Sequence, residues 1–189
     1  MRIARASEQT EPDATLLTRI VAGDLDALGV LFDRYHHDVR RFLLRLGVSS
    51  DLDDLVQLAF LEVIGAARNF DPQCSARAWL LGIAATMVRR RRRSLSRISS
   101  RLSAWVLSRE EPHSETPSET FEGREAEARI VRALGEMAPR KREAFVMVVL
   151  EGASGEEAAF ALGVPLNTIW TRLHHARDEL RHALRKDSR

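Results

Sequence analysis

Within twenty residues near the C-terminus the chain gathers Asn167, Thr168, Trp170, Thr171, Arg172, His174, His175 and Arg177. Nearly all of these side chains are hydrogen-bond donors, acceptors or cations. A guanidinium can bind the edge of guanine, a carboxamide that of adenine, and hydroxyls can bind either. To act together they must share one face of a helix. The apolar residues between them allow this, because Leu166, Ile169, Leu173, Ala176, Leu180 and Ala183 or Leu184 recur at helical spacing and form the opposite, inward stripe. The chemistry is recognition, with no covalent step. The chain lacks a phosphate-cradling glycine loop, a metal-ligand cluster and a cysteine and histidine constellation. His36-His37 and His174-His175 are adjacent pairs expected to point in different directions on a helix. No catalytic residue, no cofactor and no metal is therefore expected.

The element before this helix should position it. Ser154-Gly155-Glu156-Glu157 fits a capping box, in which the serine hydroxyl and the glutamate carboxylate satisfy each other's orphan amides. Ala158, Ala159, Ala161 and Leu162 keep the short helix thin enough for a second to cross closely. Gly163 suits a left-handed end, and Pro165 has a pre-set angle for the next first turn. Together these make a helix-turn-helix whose second helix, about 165–184, would enter the major groove by its N-terminal half. The competing reading is an amphipathic helix with a solvated, arginine-dotted surface. Against it stand the thin first helix, the short turn and the polar N-terminal face occurring together.

Helical periodicity runs through most of the chain, so the predicted fold is all-α, two small helical domains joined by a flexible linker. In the first domain, Leu16 to Val21 start one helix and Leu28 to Leu46 a second, which Gly47 ends. Ser50 is the expected cap of a third helix, whose Leu52, Leu55, Val56, Ala59, Phe60, Val63 and Ile64 lie on one side. Ser75 is the expected cap of a fourth, which faces Ala76, Leu80, Ile83, Ala84 and Met87 inward and ends in five arginines, Arg89 to Arg93. From there the chain becomes serine-rich, then acidic and proline-bearing, with an apolar Trp105-Val106-Leu107 patch. Helical pattern resumes after Gly123. The expected divisions are a disordered tail over 1–13, a first domain over 14–95, a linker over 96–123 and a second domain over 124–189.

The totals agree. The chain has 189 residues, 44% of them hydrophobic, enough to bury helical faces. A net charge of +2 means that any nucleic-acid signal lies in where the charges sit. Cys74 is the only cysteine, which excludes an internal disulfide and suits a reducing compartment. No signal-peptide core or span of about 18 apolar residues is present, so the expected location is cytoplasmic, without membrane insertion.

Glu151-Gly152-Ala153-Ser154-Gly155-Glu156-Glu157-Ala158-Ala159, then Leu162-Gly163-Val164-Pro165, Thr168-Ile169 and Arg172-Leu173-His174-His175-Ala176-Arg177, resembles region four of the extracytoplasmic-function sigma factors. Upstream, Asp53-Asp54-Leu55-Val56-Gln57 with Phe60, Phe70, Ala78-Trp79-Leu80 and Ile83-Ala84 resembles region two of the same family, in the right order. The resemblance implies a dissociable specificity subunit of RNA polymerase that directs promoter recognition, DNA melting and transcription initiation, with no chemistry of its own. Its implied partners are the core polymerase, through the clamp helices and flap, promoter DNA in duplex and single-stranded form, and an anti-sigma protein.

The resemblance also assigns residues. Asp53, Asp54, Gln57, Leu58 and Leu61 are the implied polymerase-binding set; the helical spacing of Asp54, Gln57, Leu58 and Leu61 gives a face distinct from the core stripe. The aspartates alone could equally serve the helix N-terminus. Asn69, Gln73, Ser75, Arg77 and Trp79 are implied to hold the melted strand, although Trp79 beside Leu80 also suits the core. Arg89, Arg90, Arg91, Arg92 and Arg93 would follow the DNA backbone, since guanidinium groups pair well with phosphates. Leu58-Ala59, the arginine run and Trp170 depart from the family pattern. Two other readings stay open: a stand-alone helix-turn-helix regulator that binds duplex DNA without polymerase, and a protein-binding helical scaffold.

Overall fold

A computed structural model describes residues 11–102 and 121–186, with side chains described over 11–94 and 129–185. Among them every regular element is helical. The first domain contains α1 (Asp13–Val21), α2 (Leu25–Arg45), α3 (Leu52–Ala66), a single 3-10 turn (Ala67–Asn69) and α4 (Ala76–Leu102). The second contains α5 (Phe121–Glu136), α6 (Pro139–Phe145) continued by a π turn (Val146–Leu150), α7 (Gly155–Leu162) and α8 (Leu166–Lys186). No helix among the described residues is long and apolar enough to cross a membrane.

The apolar stripes read from the sequence form the core. Leu16, Leu17, Leu31, Phe42, Leu43, Val56, Phe60, Leu80 and Leu81 are buried in the first domain, and Leu134, Phe145, Met147, Leu162, Ile169 and Leu173 in the second. Trp79 is buried too and meets Phe70 edge-to-face at 5.3 Å, which takes it off the list of bases' stacking partners. Each such side chain removed from water contributes about 1.5–3 kcal/mol, so these faces decide how the helices pack. α4 also packs along α7, so the two domains share one continuous core. Gly82 permits this: a β-carbon there would overlap the backbone carbonyl of Ala161.

Several local expectations are corrected. Ser50 does not cap α3; its hydroxyl accepts from Arg91 at 3.1 Å, and Asp51, at a left-handed φ of 55°, takes the cap position while its carboxylate also pairs with Arg91. Ile64 is exposed, outside the core stripe. α4 continues to Leu102, beyond the residue where the linker was placed, and α5 starts at Phe121, ahead of Gly123. Glu11 and Asp13, assigned to the tail, are held in place: Glu11 pairs with Arg19 at 2.6 Å, and Asp13 pairs with Arg34 and accepts from the Tyr35 hydroxyl at 2.6 Å. Rather than diverging, the His36 and His37 rings lie with centroids 3.9 Å apart. The Trp105-Val106-Leu107 patch lies outside the described residues.

The capping box forms as expected. Glu157 N–H donates to the Ser154 hydroxyl at 3.1 Å, and Ser154 N–H to the Glu157 carboxylate at 2.9 Å. Ser154→Ala should lower stability by about 1 kcal/mol, read as a shift in the denaturation midpoint. The Glu157 carboxyl is held below its ordinary value by hydrogen bonds from Ser75 and Ser154, against the opposing effect of burial. A depressed carboxyl stabilises above the unfolded value and loses that contribution as pH falls through the folded one. Acid titration below about pH 4.5 should therefore weaken the fold, and Glu157→Gln should flatten that part of the profile.

Candidate functional site

α8 follows directly from Gly163, which adopts the left-handed conformation at φ 65°, and from Pro165. Ile169, Leu173 and Ala176 are fully covered, so the opposite side of the helix faces outward. Asn167, Trp170, Thr171, His174, His175 and Arg177 are exposed there, with Thr168 half-buried beside them. Trp170 is 46% exposed, and its indole seats against Gly155, where a β-carbon would come within 2.6 Å of the ring. The indole thus packs on α7 by one edge and stays open to solvent by the other. Arg172 departs from the expected face. It lies three residues after Ile169 and four before Ala176, at the edge of the buried stripe. Its Nη1 is buried without a hydrogen-bond partner among the described residues. Burial, followed by the neighbouring Arg140 charge, lowers its proton affinity, and the Glu143 carboxylate partly offsets them.

On α3, Asp53, Asp54, Gln57, Leu58 and Leu61 are all exposed, and Asp54, Leu58 and Leu61 come together on one groove, which Asp53 and Gln57 do not line. Leu58 and Leu61 are 47% and 57% exposed. With Asp54, Glu62, Arg90 and Arg91 they line an open groove of about 710 Å³ between α3 and α4. Such a surface, apolar at its floor and charged at both rims, suits an amphipathic helix from a partner. Asp53 also accepts from Arg40 at 3.3 Å, an exposed pair that contributes little to stability.

The loop set is partly free and partly occupied. Asn69 and Gln73 are exposed; the Ser75 hydroxyl caps α4 by accepting from Ala78 N–H at 3.3 Å. The arginine run does not form one strip, since successive helical residues point some 100° apart. Arg90 pairs with Glu62 at 3.3 Å on the surface, and Arg93 is exposed. Arg91 holds Ser50 and Asp51, Arg92 donates to the Leu46 carbonyl at 2.6 Å, and Arg89 faces Glu143 at 3.4 Å.

The most concentrated polar cluster was not anticipated. The Glu151 side chain is fully buried where the domains meet, with Arg45 at 2.6 Å, Arg41 at 3.0 Å and Arg77 closest of all. Asp38 lies beneath and pairs with Arg41 and Arg77. The hydrogen bond to Glu151 raises the proton affinity of Arg41; for Arg77, burial works the other way and its two carboxylate partners outweigh it. The sequence signal was the spacing of Arg41 and Arg45, one helical turn apart and following Asp38, which puts three charges on one side of α2.

Residues 31–98 match the family model for sigma-70 region 2, and residues 127–180 that for sigma-70 region 4. The ECF RNA polymerase sigma factor SigC of Mycobacterium tuberculosis is 32% identical over 177 residues, covering 94% of this chain and 93% of that protein. Among solved structures, CnrH in complex with the cytosolic domain of CnrY aligns with a TM-score of 0.66 at 26% identity, over 94% of this chain and 99% of that one. The RpoE of Bartonella quintana, solved with the anti-sigma factor NepR, shares the fold at a TM-score of 0.64 and 23% identity, over 82% of this chain and 94% of its own. With a polar outer face on α8, an apolar groove on α3 and both sigma regions present in order, the chain belongs to the extracytoplasmic-function sigma factors, the RNA polymerase subunits that direct initiation at promoters.

Proposed function

We propose that this chain works without a catalytic step of its own, as a cytoplasmic specificity subunit whose two domains, α1 to α4 and α5 to α8, act on different partners. The α3 groove, with Asp53, Asp54, Gln57, Leu58 and Leu61, takes the polymerase clamp helices. Asn69, Gln73, Ser75 and Arg77 hold the melted strand, with Arg90 and Arg93 on neighbouring phosphates. Asn167, Thr168, Trp170, Thr171, His174, His175 and Arg177 read the upstream duplex element. Arg172 joins them once its side chain turns outward from the edge of the buried stripe. An anti-sigma protein is the expected inhibitor, as CnrH was solved with the cytosolic domain of CnrY.

The observation that carries this reading is the pairing of an open, partly apolar groove in one domain with an exposed polar helix face in the other. A stand-alone regulator has no need of the groove, and a scaffold none of the helix. The deciding experiment is transcription in vitro with purified core polymerase. Initiation confined to particular promoters is the expected result; tight duplex binding by the chain alone, with no initiation, would overturn it. Changing Asp54 and Gln57 together to alanine should reduce association with core polymerase about 30-fold, if each loses one hydrogen bond of about 1 kcal/mol at the interface. Unchanged co-elution would count against the assignment.

A further inference from the structure

Three carboxylates of the second domain rest on three groups of the first that nucleic acid would also use. Glu151 sits among Arg41, Arg45 and Arg77. Glu157 accepts from Ser75 N–H at the start of α4, at 3.3 Å. Glu143 faces Arg89 nearly four turns further along the same helix, at 3.4 Å. The three contacts therefore follow α4 from its N-terminus. We infer that the docked second domain imitates a nucleic-acid backbone, its Glu151, Glu157 and Glu143 carboxylates occupying a phosphate track on the first domain made of Arg41, Arg45, Ser75, Arg77 and Arg89.

The chemistry of the central position is the most telling. Burying a carboxylate is costly unless its charge and lone pairs are fully met, and here three guanidinium groups meet them. Guanidinium forks suit the paired oxygens of a phosphodiester as they suit those of a carboxylate, and both ligands carry one negative charge. Among the described residues Asp38 is the carboxylate that stays paired with the arginines when Glu151 leaves, so three positive charges less one negative leave the opened site at +2. That surplus calls for another anion. The chain turns immediately after the carboxylate: Glu151 N–H closes the π turn on the Val146 carbonyl at 2.9 Å, and Gly152 follows at φ 73°. Glu151 is thus presented from a fixed corner, as a plug.

This inference rests on the sigma-factor reading and adds that domain docking and strand binding exclude each other. A chain closed about nine-tenths of the time binds an open-state ligand about tenfold more weakly than a chain held open. The test uses full-length protein, a fluorescein-labelled single-stranded oligonucleotide and no polymerase, with small-angle scattering to follow domain separation. Gly82→Leu wedges α4 from α7 without altering a charge, and Glu151→Gln removes the plug's charge. Both should expand the molecule and tighten oligonucleotide binding about tenfold. Arg45→Glu should expand it as well, by repelling Glu151, yet give no gain, because it damages the track itself. Adding Arg41→Gln and Arg45→Gln to the Gly82→Leu chain should abolish the gain. Expansion without tighter binding in the Gly82→Leu and Glu151→Gln chains would overturn the inference, as would a gain that survives loss of both arginines. Inorganic phosphate that expands the wild-type chain while the oligonucleotide does not would overturn the nucleic-acid assignment. Promoter-specific initiation by the wild-type chain is scored separately, so the inference can fail while the family function stands.

Discussion

Replacing Leu58 and Leu61 together by aspartate is expected to weaken binding to core polymerase at least about 100-fold, the largest single loss of function the structure points to. Both side chains stand about half exposed on α3, and neither supports the core, whose α3 contribution comes from Leu55, Val56, Ala59, Phe60 and Val63. Covering the exposed half of a leucine contributes about 0.7–1.5 kcal/mol, and two of them plus the cost of desolvating two carboxylates exceed the 2.7 kcal/mol or so that 100-fold requires. The fold should survive, since aspartate at two exposed helical sites costs about half a kcal/mol each. Surface plasmon resonance with immobilised core enzyme reads the affinity, and circular dichroism checks the helices. A dissociation constant within threefold of wild type would remove the groove as the polymerase site.

Why that face was legible in the sequence, while the domain contact was not, follows from the kind of signal each leaves. Leu58 and Leu61 sit off the α3 core stripe, and a helix with apolar residues on two sides announces a second surface. The Ser154 capping box, Gly163 and Pro165 are local devices whose partners lie within a few residues, so spacing alone identifies them. Glu151 is different. Its partners Arg41, Arg45 and Arg77 lie more than seventy residues away in sequence, and nothing near Glu151 tells a buried carboxylate from a solvated one. Gly82 gave no signal because a helical glycine is informative only once the backbone it touches, at Ala161, is known. Arg89 to Arg93 misled for a related reason: five adjacent cations in sequence are spread around a helix, and two of them turn inward to Glu143 and to Leu46 while Arg91 pairs with Ser50 and Asp51 at the surface.

Arg142→Ala is expected to be the most destabilising single substitution, at about 3 kcal/mol, and to lower the melting temperature by about 6–12 °C. Arg142 is 6% exposed and donates to three carbonyls: Leu46 at 3.0 Å, Met137 at 3.1 Å and Gly135. These follow or lie at the ends of α2 and α5, so one guanidinium satisfies orphan carbonyls of two helices, one in each domain. Gly47, at φ 82°, lets it approach: a β-carbon there would lie 2.8 Å from its Nη1. Each charge-assisted bond contributes about 1.5–3 kcal/mol, but burying the cation offsets part of the sum. That burial, helped by the Arg92 charge, pushes the Arg142 pKa down to about 10. The guanidinium therefore stays charged in both the folded and the unfolded chain through the neutral range, and Arg142 adds no pH dependence to stability there. The loss on substitution should therefore be the same at pH 6 and pH 9, unlike the acid-sensitive Glu157 contribution. Arg142→Lys, whose single ammonium cannot span all three carbonyls, should lose part of it. Because Gly135 and Met137 belong to the residue's own domain, the substitution should still destabilise the Gly82→Leu chain, by less than in the closed wild type. A melting temperature unmoved by Arg142→Ala would show that the three carbonyls are as well satisfied by water.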